Sequence, residues 1–232
     1  MTDTARADSG PADETIDVET EDADVADAAG RFESARGKFE IFRAPDLRTP
    51  PTAEVMAEVD MSGAADGFDY SGLVDGGEDE GEVRDAIGEM VRAIAPGTVT
   101  TPLFGQGGKD GMSLVHVWFG PDFPLFRHSH PRYGDCLYYV LAGEVVLGSQ
   151  RLGPGDGFFV PNEMPYKYKA GPEGVEVLEF RAGGGIKGAP IMHLNERSVE
   201  GIRALAAANR AQHENWRNAP KAPGGALFDP QA

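Results

Sequence analysis

Short runs rich in Val, Phe and Tyr follow one another between residues 112 and 181, and this repetition constrains the fold more than any other feature of the sequence. The runs are Met112 to Phe119, Cys136 to Leu141, Glu144 to Leu147, Phe158 to Val160, Tyr166 to Lys169 and Val175 to Arg181. Turn-forming residues separate them at Gly120-Pro121, Ala142-Gly143, Gly153-Pro154-Gly155-Asp156 and Gly171-Pro172. Turn signals about every eight to twelve residues, without a helical pattern between them, are typical of an antiparallel sandwich or barrel. The sequence therefore predicts an all-β core.

Two stretches on either side of this core have apolar residues at helical spacing. The first runs from about Glu82 to Ile94, and the second from about Ser198 to Arg217. One side of the second stretch carries Val199, Ile202, Leu205, Ala206, Asn209, His213 and Trp216. Both patterns predict helices that pack on the core, and the second helix alternatively packs on another subunit.

The first thirty residues are strongly acidic, with ten Asp and Glu side chains against the single base Arg6. Such a segment buries too little apolar surface to offset the entropy of ordering, so we expect a disordered tail. The whole chain has a formal net charge of −17. Because nucleic acids and anionic membranes bind to clustered Lys and Arg, we expect neither as a partner.

The sequence also bears on location and on the chemistry of any metal site. It has no apolar run of about 18 residues, and its N-terminus lacks the basic and apolar regions of a signal peptide, so we expect a cytoplasmic protein. The one cysteine, Cys136, excludes an internal disulfide and a zinc site made of paired thiolates. A metal here must be bound mainly by His, carboxylate or Tyr.

Three sequence segments occur in order within the predicted core: His128-Ser-His130, Leu137-Tyr-Tyr-Val-Leu-Ala-Gly-Glu144, and Leu152-Gly-Pro-Gly-Asp-Gly-Phe-Phe-Val-Pro161. In combination they resemble the two sequence motifs of the cupin superfamily. The resemblance implies a cupin double-stranded β-helix, a jelly-roll barrel with helical N- and C-terminal extensions. It also implies that the mouth of the barrel holds a metal ion or a small organic ligand, and that the protein is a homodimer, joined through edge strands or the final helix.

The resemblance divides the chain into four parts. Residues 1–35 form the disordered acidic tail, and 36–97 form an N-terminal extension packed on the barrel. The cupin barrel covers 98–195, and a C-terminal helix and tail cover 196–232.

His128 and His130 are the predicted metal ligands, because residues at i and i+2 of a strand point to the same face. The next ligand of the family motif has two candidates. Counting back from Gly143 gives Cys136, whereas counting forward from His130 gives Asp135. Strand alternation favours Cys136, but a bulge would bring in Asp135 instead.

The final ligand of the family is a histidine soon after the Val-Pro of the second motif, and here Tyr166 follows Pro165. A phenol has a pKa near 10 and is a poorer ligand unless a Lewis acid such as ferric iron lowers that pKa. Tyr166 is therefore predicted as a metal ligand, a general acid or a hydrogen-bond donor to substrate.

These residues support three hypotheses for function. The first is a metal-dependent cupin enzyme acting on a small organic molecule, with a dioxygenase-like reaction at a divalent or ferric ion held by His128 and His130. Iron is the leading candidate, and zinc, nickel, manganese or copper are the others. The second is a metal-free isomerase, epimerase or lyase that uses a histidine as base and Tyr166 as acid. The third is a small-molecule-binding barrel without catalytic activity.

Overall fold

The computed structural model describes residues 32–33, 40–42, 49–106, 111–130, 134–182 and 192–217. The chain divides into two units, Met1–Arg43 and Ala44–Ala232. In the first unit, strand β1 (Phe32–Glu33) pairs antiparallel with β2 (Glu40–Ile41). The predicted disordered tail, residues 1–35, lies outside the described residues apart from β1.

Within the described residues, the second unit contains nine strands, five α-helices and two short 3-10 helices, Ala64–Gly67 and Ala95–Gly97. The strands are β3 (Phe68–Asp69), β4 (Thr98–Gly105), β5 (Met112–Phe119), β6 (His128–Ser129), β7 (Cys136–Leu147), β8 (Gln150–Leu152), β9 (Gly157–Val160), β10 (Lys169–Ala182) and β11 (Met192–Leu194). The helices are α1 (Ala53–Ala57), α2 (Ser71–Val74), α3 (Glu80–Ile94), α4 (Val199–Arg210) and α5 (His213–Arg217).

The larger sheet has the strand order β4-β5-β10-β7-β8, and β9 also pairs with β7. All of its pairings are antiparallel. Along β10 the residues Val175, Val177, Glu179 and Arg181 lie opposite Phe119, Val117, Val115 and Ser113 of β5. Because successive side chains of a strand alternate between its two faces, this register places one set of side chains toward the core.

The smaller sheet, with the order β3-β11-β6, faces the larger one across the core. It is extended by backbone bonds between the chain around β6 and the chain that enters β10. The amide of Leu125 donates to the carbonyl of Tyr168 at 3.0 Å, and His128 and Tyr166 exchange amide-to-carbonyl bonds at 3.1 and 3.0 Å. Two packed layers of antiparallel strands form the jelly-roll barrel, and the fold class predicted from the sequence is confirmed.

Two predicted turns are wrong, because the chain passes through them as strand. β7 continues through Ala142-Gly143, and β10 continues through Gly171-Pro172. The pairing of β7 with β10 shifts register between Ala170 and Val175, so the extra residues form a bulge rather than a reversal. Gly143 has a φ of +71°, which fits such a bulge and which other residues rarely adopt. The run Tyr166 to Lys169 was also predicted as a strand, but only its last residue belongs to β10.

The predicted N-terminal helix is confirmed as α3, which begins at Glu80, two residues before the predicted start. Asp79 caps it by accepting a hydrogen bond from the amide of Glu82 at 3.1 Å. Ile87 and Met90 of α3 and Ile202 of α4 belong to the same buried cluster as apolar side chains of the barrel. This cluster fixes both helices on the larger unit.

The single C-terminal helix predicted for 198–217 is in fact two helices, since the α-helical hydrogen bonding stops between α4 and α5. The break lets Trp216 turn onto the barrel, where its ring packs over Gly97 and Gly120. A Cβ atom on either glycine would lie 2.5 Å from that ring. The indole also donates to the carbonyl of Pro121 at 2.8 Å. Among the described helices, none has the length and hydropathy of a membrane span.

Candidate functional site

The two histidines of the first motif converge inside the barrel. His128 and His130 are both buried, and their Nε2 atoms lie 3.1 Å apart. The Nδ1 atom of His128 lies 3.0 Å from the carbonyl oxygen of Phe126, which can only accept a hydrogen bond. The proton of His128 is therefore on Nδ1, and its Nε2 carries a lone pair that points toward His130.

Tyr166 completes this cluster from the segment before β10, which pairs with β6 at His128. Its backbone bonds to His128 place the side chain beside the histidines, with the hydroxyl 3.2 Å from Nε2 of His130. The same hydroxyl makes a short hydrogen bond with the hydroxyl of Tyr138. Tyr166 thus lies in the pocket, as the sequence predicts.

The two candidates for the next ligand lie in different surroundings, since Cys136 is buried and Asp135 is exposed. Cys136 begins β7 with its side chain on the buried face, opposite Val160 and Arg181, and it does not line the cavity. Asp135 is exposed and accepts a hydrogen bond from the amide of Asn162 at 2.9 Å, so no bulge turns it inward. Over the described ranges, His, Cys, Asp and Glu side chains form no group of three with metal-binding geometry. Cys136 as a metal ligand remains a prediction.

Glu179 and Arg181 also line the site, and the sequence analysis did not identify them. Both are largely buried and form an ion pair with each other. The sequence of β10 carries a signal for this position. Every second residue of the strand faces the core, and this series consists of Val175, Val177, Glu179 and Arg181. Charged residues that continue an apolar core-facing series are unusual, because burying a charge is costly without a partner. That signal could have identified the pair.

These groups stand at one end of a cavity of about 160 Å³. The rest of its wall is mainly apolar and comes from both sheets and from the end of α3. The wall includes Val117, Phe119, Phe123, Leu125, Phe126 and Met192. An apolar cavity with a few converging polar groups is the usual form of a small-molecule site.

Burial determines the protonation of the cluster. It lowers the pKa of His128 to about 4 and the pKa of His130 to about 2, and the positive charge of Arg181 acts in the same direction. Burial and the negative charge of Glu179 raise the pKa of Tyr166 well above its usual value. The same two causes raise the pKa of the Cys136 thiol to about 11. At neutral pH the imidazoles are therefore uncharged, and the phenol and thiol keep their protons.

These histidines predict that the metal-free protein loses stability on acidification below pH about 6.5. The unfolded chain takes up protons near that pH, whereas folded His128 does so only near pH 4. Each buried imidazole therefore lowers the free energy of unfolding by about 1.4 kcal/mol per pH unit within this window. Urea unfolding of chelator-treated protein between about pH 7.5 and 4.5 measures the slope.

The control for this measurement is the His128→Asn, His130→Asn double variant. Asparagine keeps an N–H group near the Nδ1 position but has no atom in place of Nε2 and no titration in this range. We expect a shallower slope in the double variant. Equal slopes in both proteins would contradict the assignment of buried, uncharged histidines.

His116, which precedes the motif, lies outside the pocket. It alternates with Val115 and Val117 on β5 and so lies on the other face of the sheet, where its Nε2 is 3.7 Å from Oε2 of Glu176. Both side chains are buried.

The jelly-roll topology, with the two motifs in their expected places and the histidines facing inward, is that of a cupin-type barrel. No protein-family model matches the sequence, and no curated protein matches it.

Several solved structures are similar to the chain. KdgF from Halomonas sp. is 24% identical over 38% of this chain and 79% of that chain, with a TM-score of 0.33. An RmlC-like cupin from Shewanella frigidimarina is 22% identical over 38% and 78%, with a TM-score of 0.33. The polyketide cyclase RemF from Streptomyces resistomycificus is 18% identical over 49% and 82%, with a TM-score of 0.37.

Proposed function

We propose that this protein is a metal-dependent enzyme acting on a small organic molecule, with the ion bound by His128 and His130. The observation that carries the proposal is the 3.1 Å separation of the two Nε2 atoms. Two nitrogens that each bind one ion at about 2.1 Å lie about 3 Å apart, so the side chains already have the spacing of ligands. The hydrogen bond from His128 to the carbonyl of Phe126 is the kind of outer contact that orients a metal-binding imidazole.

In this proposal Tyr166 is the third residue of the site, beside His128 and His130. Its hydroxyl is 3.2 Å from Nε2 of His130 and keeps its proton at neutral pH, so it can donate a hydrogen bond or a proton to a substrate oxygen. Tyr138 supports it through the short hydrogen bond between the two hydroxyls. A bound ion would supply Lewis acidity at the same substrate oxygen.

The dioxygenase-like reaction at iron is the narrower form of this proposal. Such chemistry needs protein ligands on one side of the ion and open positions on the other. His128, His130 and Tyr166 converge from one wall, and the cavity lies beside them. The identity of the bound ion separates this reaction from the alternatives with zinc, nickel, manganese or copper.

Elemental analysis of protein purified without an affinity tag or chelator tests the proposal. We expect about one ion per chain in the wild type and none in the His128→Asn, His130→Asn double variant. His193→Ala is the matched control, because His193 is half-exposed and pairs with Asp69 outside the cavity. Its metal content is expected to equal that of the wild type.

Two results would refute the metal proposal. The first is a wild type without metal after dialysis against divalent and ferric ions, and the second is full occupancy in the double variant. Tyr166→Phe then separates the roles of the phenol. Weakened metal binding identifies Tyr166 as a ligand, and unchanged binding with lost turnover identifies it as a proton donor.

A second candidate function is metal-free acid–base catalysis, as in an isomerase, epimerase or lyase. It is favoured by the close approach of the Tyr138 and Tyr166 hydroxyls to each other and of the Tyr166 hydroxyl and His128 Nε2 to Nε2 of His130, all at hydrogen-bonding distance without an ion between them. Tyr166 would donate a proton, and a neutral histidine would accept one. A wild type that lacks metal but turns over substrate, and that loses turnover in Tyr166→Phe, would establish this function.

The homodimer also remains a proposal. Leu137, Tyr139 and Phe159 are 48%, 43% and 58% exposed, and Leu137 pairs directly with Phe159 across β7 and β9. Grouped apolar side chains on a sheet face are more typical of an interface than of a surface in water. They give a second copy of the chain a place to dock.

A further inference from the structure

We infer that the ligand of this cavity is an uncharged molecule with a single ring and one hydroxyl or carbonyl oxygen. Its ring lies among the apolar walls, and its oxygen lies toward His128, His130 and Tyr166. The inference deepens the proposed function and rests on it in one respect, namely that this cavity is the substrate site. It does not require that a metal is bound.

The size of the cavity sets the first limit. Its volume is about 160 Å³, and an apolar protein cavity of about 150 Å³ is known to take up benzene. One six-membered ring therefore fills the space within the walls. A fused second ring would have to remain outside, in contact with water.

The side chains of the cavity wall favour an aromatic ring in the ligand. Phe119 and Phe123 stand 4.7 Å apart between ring centroids, and the ring of Tyr168 meets Phe119 edge-on at 5.8 Å. All three side chains line the cavity. Aromatic groups at these spacings attract a further ring through its faces and edges, in addition to the gain from buried area.

Without a bound ion, the charges of the protein at this site disfavour an anionic ligand. Arg181 is the cation among the residues that line the described cavity, and Glu179 pairs with it there. The pair contributes no net charge, and Glu179 is only 5% exposed. A carboxylate brought into this cavity would lose its hydration without gaining an opposite charge, whereas a hydroxyl or carbonyl group costs far less to bury.

The polar end of the cavity explains why the ligand carries an oxygen. The hydroxyl of Tyr166 and the ring nitrogens of the two histidines offer donors and acceptors within a few ångströms of one another. A purely apolar ligand would make no hydrogen bond with these groups. An oxygen substituent makes hydrogen bonds there and fixes the direction in which the ring enters.

A series of probes with the same carbon skeleton tests the inference on chelator-treated, full-length protein. The probes are toluene, benzyl alcohol and benzoate, together with naphthalenemethanol as the two-ring homologue, and titration calorimetry or ligand-observed NMR measures binding. We expect benzyl alcohol to bind at least about tenfold more tightly than benzoate and about fivefold more tightly than toluene. Naphthalenemethanol should bind no more tightly than benzyl alcohol, although its larger apolar area would favour nonspecific binding.

Three variants locate the binding in the cavity. Met192→Phe narrows the cavity and should weaken benzyl alcohol binding at least about tenfold, whereas Met112→Phe makes the same change at an exposed site and should leave binding unchanged. Glu179→Gln removes the negative charge that pairs with Arg181, so benzoate should bind at least about tenfold more tightly than in the wild type. A thermal melt of each variant confirms that it is folded.

Tightest binding by benzoate, equal binding of toluene and benzyl alcohol, or tighter binding of the two-ring homologue would overturn the inference. So would benzyl alcohol binding that is unaffected by Met192→Phe in the folded variant. The metal proposal fails by a different result. Selective binding of benzyl alcohol to a protein that takes up no metal would refute the metal site and support the inferred ligand class. Metal binding without this selectivity would support the metal site and refute the inferred ligand class.

Discussion

Replacing Arg181 by methionine is expected to lower the free energy of unfolding by about 3 to 5 kcal/mol, because it leaves the buried carboxylate of Glu179 without its partner. Methionine fills a similar volume and has no charge. Urea unfolding at neutral pH measures the loss. The Glu179→Gln, Arg181→Met double variant should recover most of it, since no buried charge then remains.

Arg151→Met is the matched control, because Arg151 pairs with Glu144 at 2.5 Å and is 67% exposed. An ion pair in contact with water contributes little, so this substitution should cost less than about 1 kcal/mol. Similar losses in Arg181→Met and Arg151→Met would show that the Glu179–Arg181 pair is not held in a low-dielectric interior. That result would also remove the charge argument for an uncharged ligand.

Gly143→Ala is expected to lower the free energy of unfolding by about 4 kcal/mol. The methyl group would lie 2.1 Å from the carbonyl oxygen of Gly174, in the bulge of β10 next to Val175, which pairs with both β5 and β7. The backbone at Gly143 also has a φ of +71°. The expected loss combines about 1 to 2 kcal/mol for the left-handed backbone with about 1 to 3 kcal/mol for overpacking.

Gly148→Ala separates these two contributions. Gly148 has a φ of +61°, but a methyl group there would meet no atom within 4 Å. This variant should therefore cost only about 1 to 2 kcal/mol, measured by the same urea titration. Equal losses in the two variants would show that β7 and β10 are not closely packed at the bulge.

The sequence predicted the barrel because its evidence was local and repeated. Runs rich in Val, Phe and Tyr indicated β5, β7 and β10, and helical spacing indicated α3. The two errors at Ala142-Gly143 and Gly171-Pro172 both arise at the bulge between β7 and β10, where Gly143 and Gly174 have positive φ. Glycine permits a left-handed backbone both in a turn and in a bulge, and only the partner strand decides which of the two forms.

The site was predicted in part for a related reason. His128, His130 and Tyr166 stand at motif positions, so their convergence could be expected from the sequence, and the structure brings them together. Glu179 and Arg181 belong to no motif and are distant from the histidines along the chain. Their place at the cavity depends on the register of β10 against its neighbours, which a single sequence does not determine.

The central position of β10 bears on how the chain is made. β10 lies between β5 and β7, so neither of these strands has its main neighbour until the ribosome has synthesised residues 169–182. Until then β5 and β7 have open edges with apolar faces, which are prone to pair with other chains. The barrel therefore cannot close before β10 has been synthesised, and the edges of β5 and β7 that β10 covers stay unpaired until then.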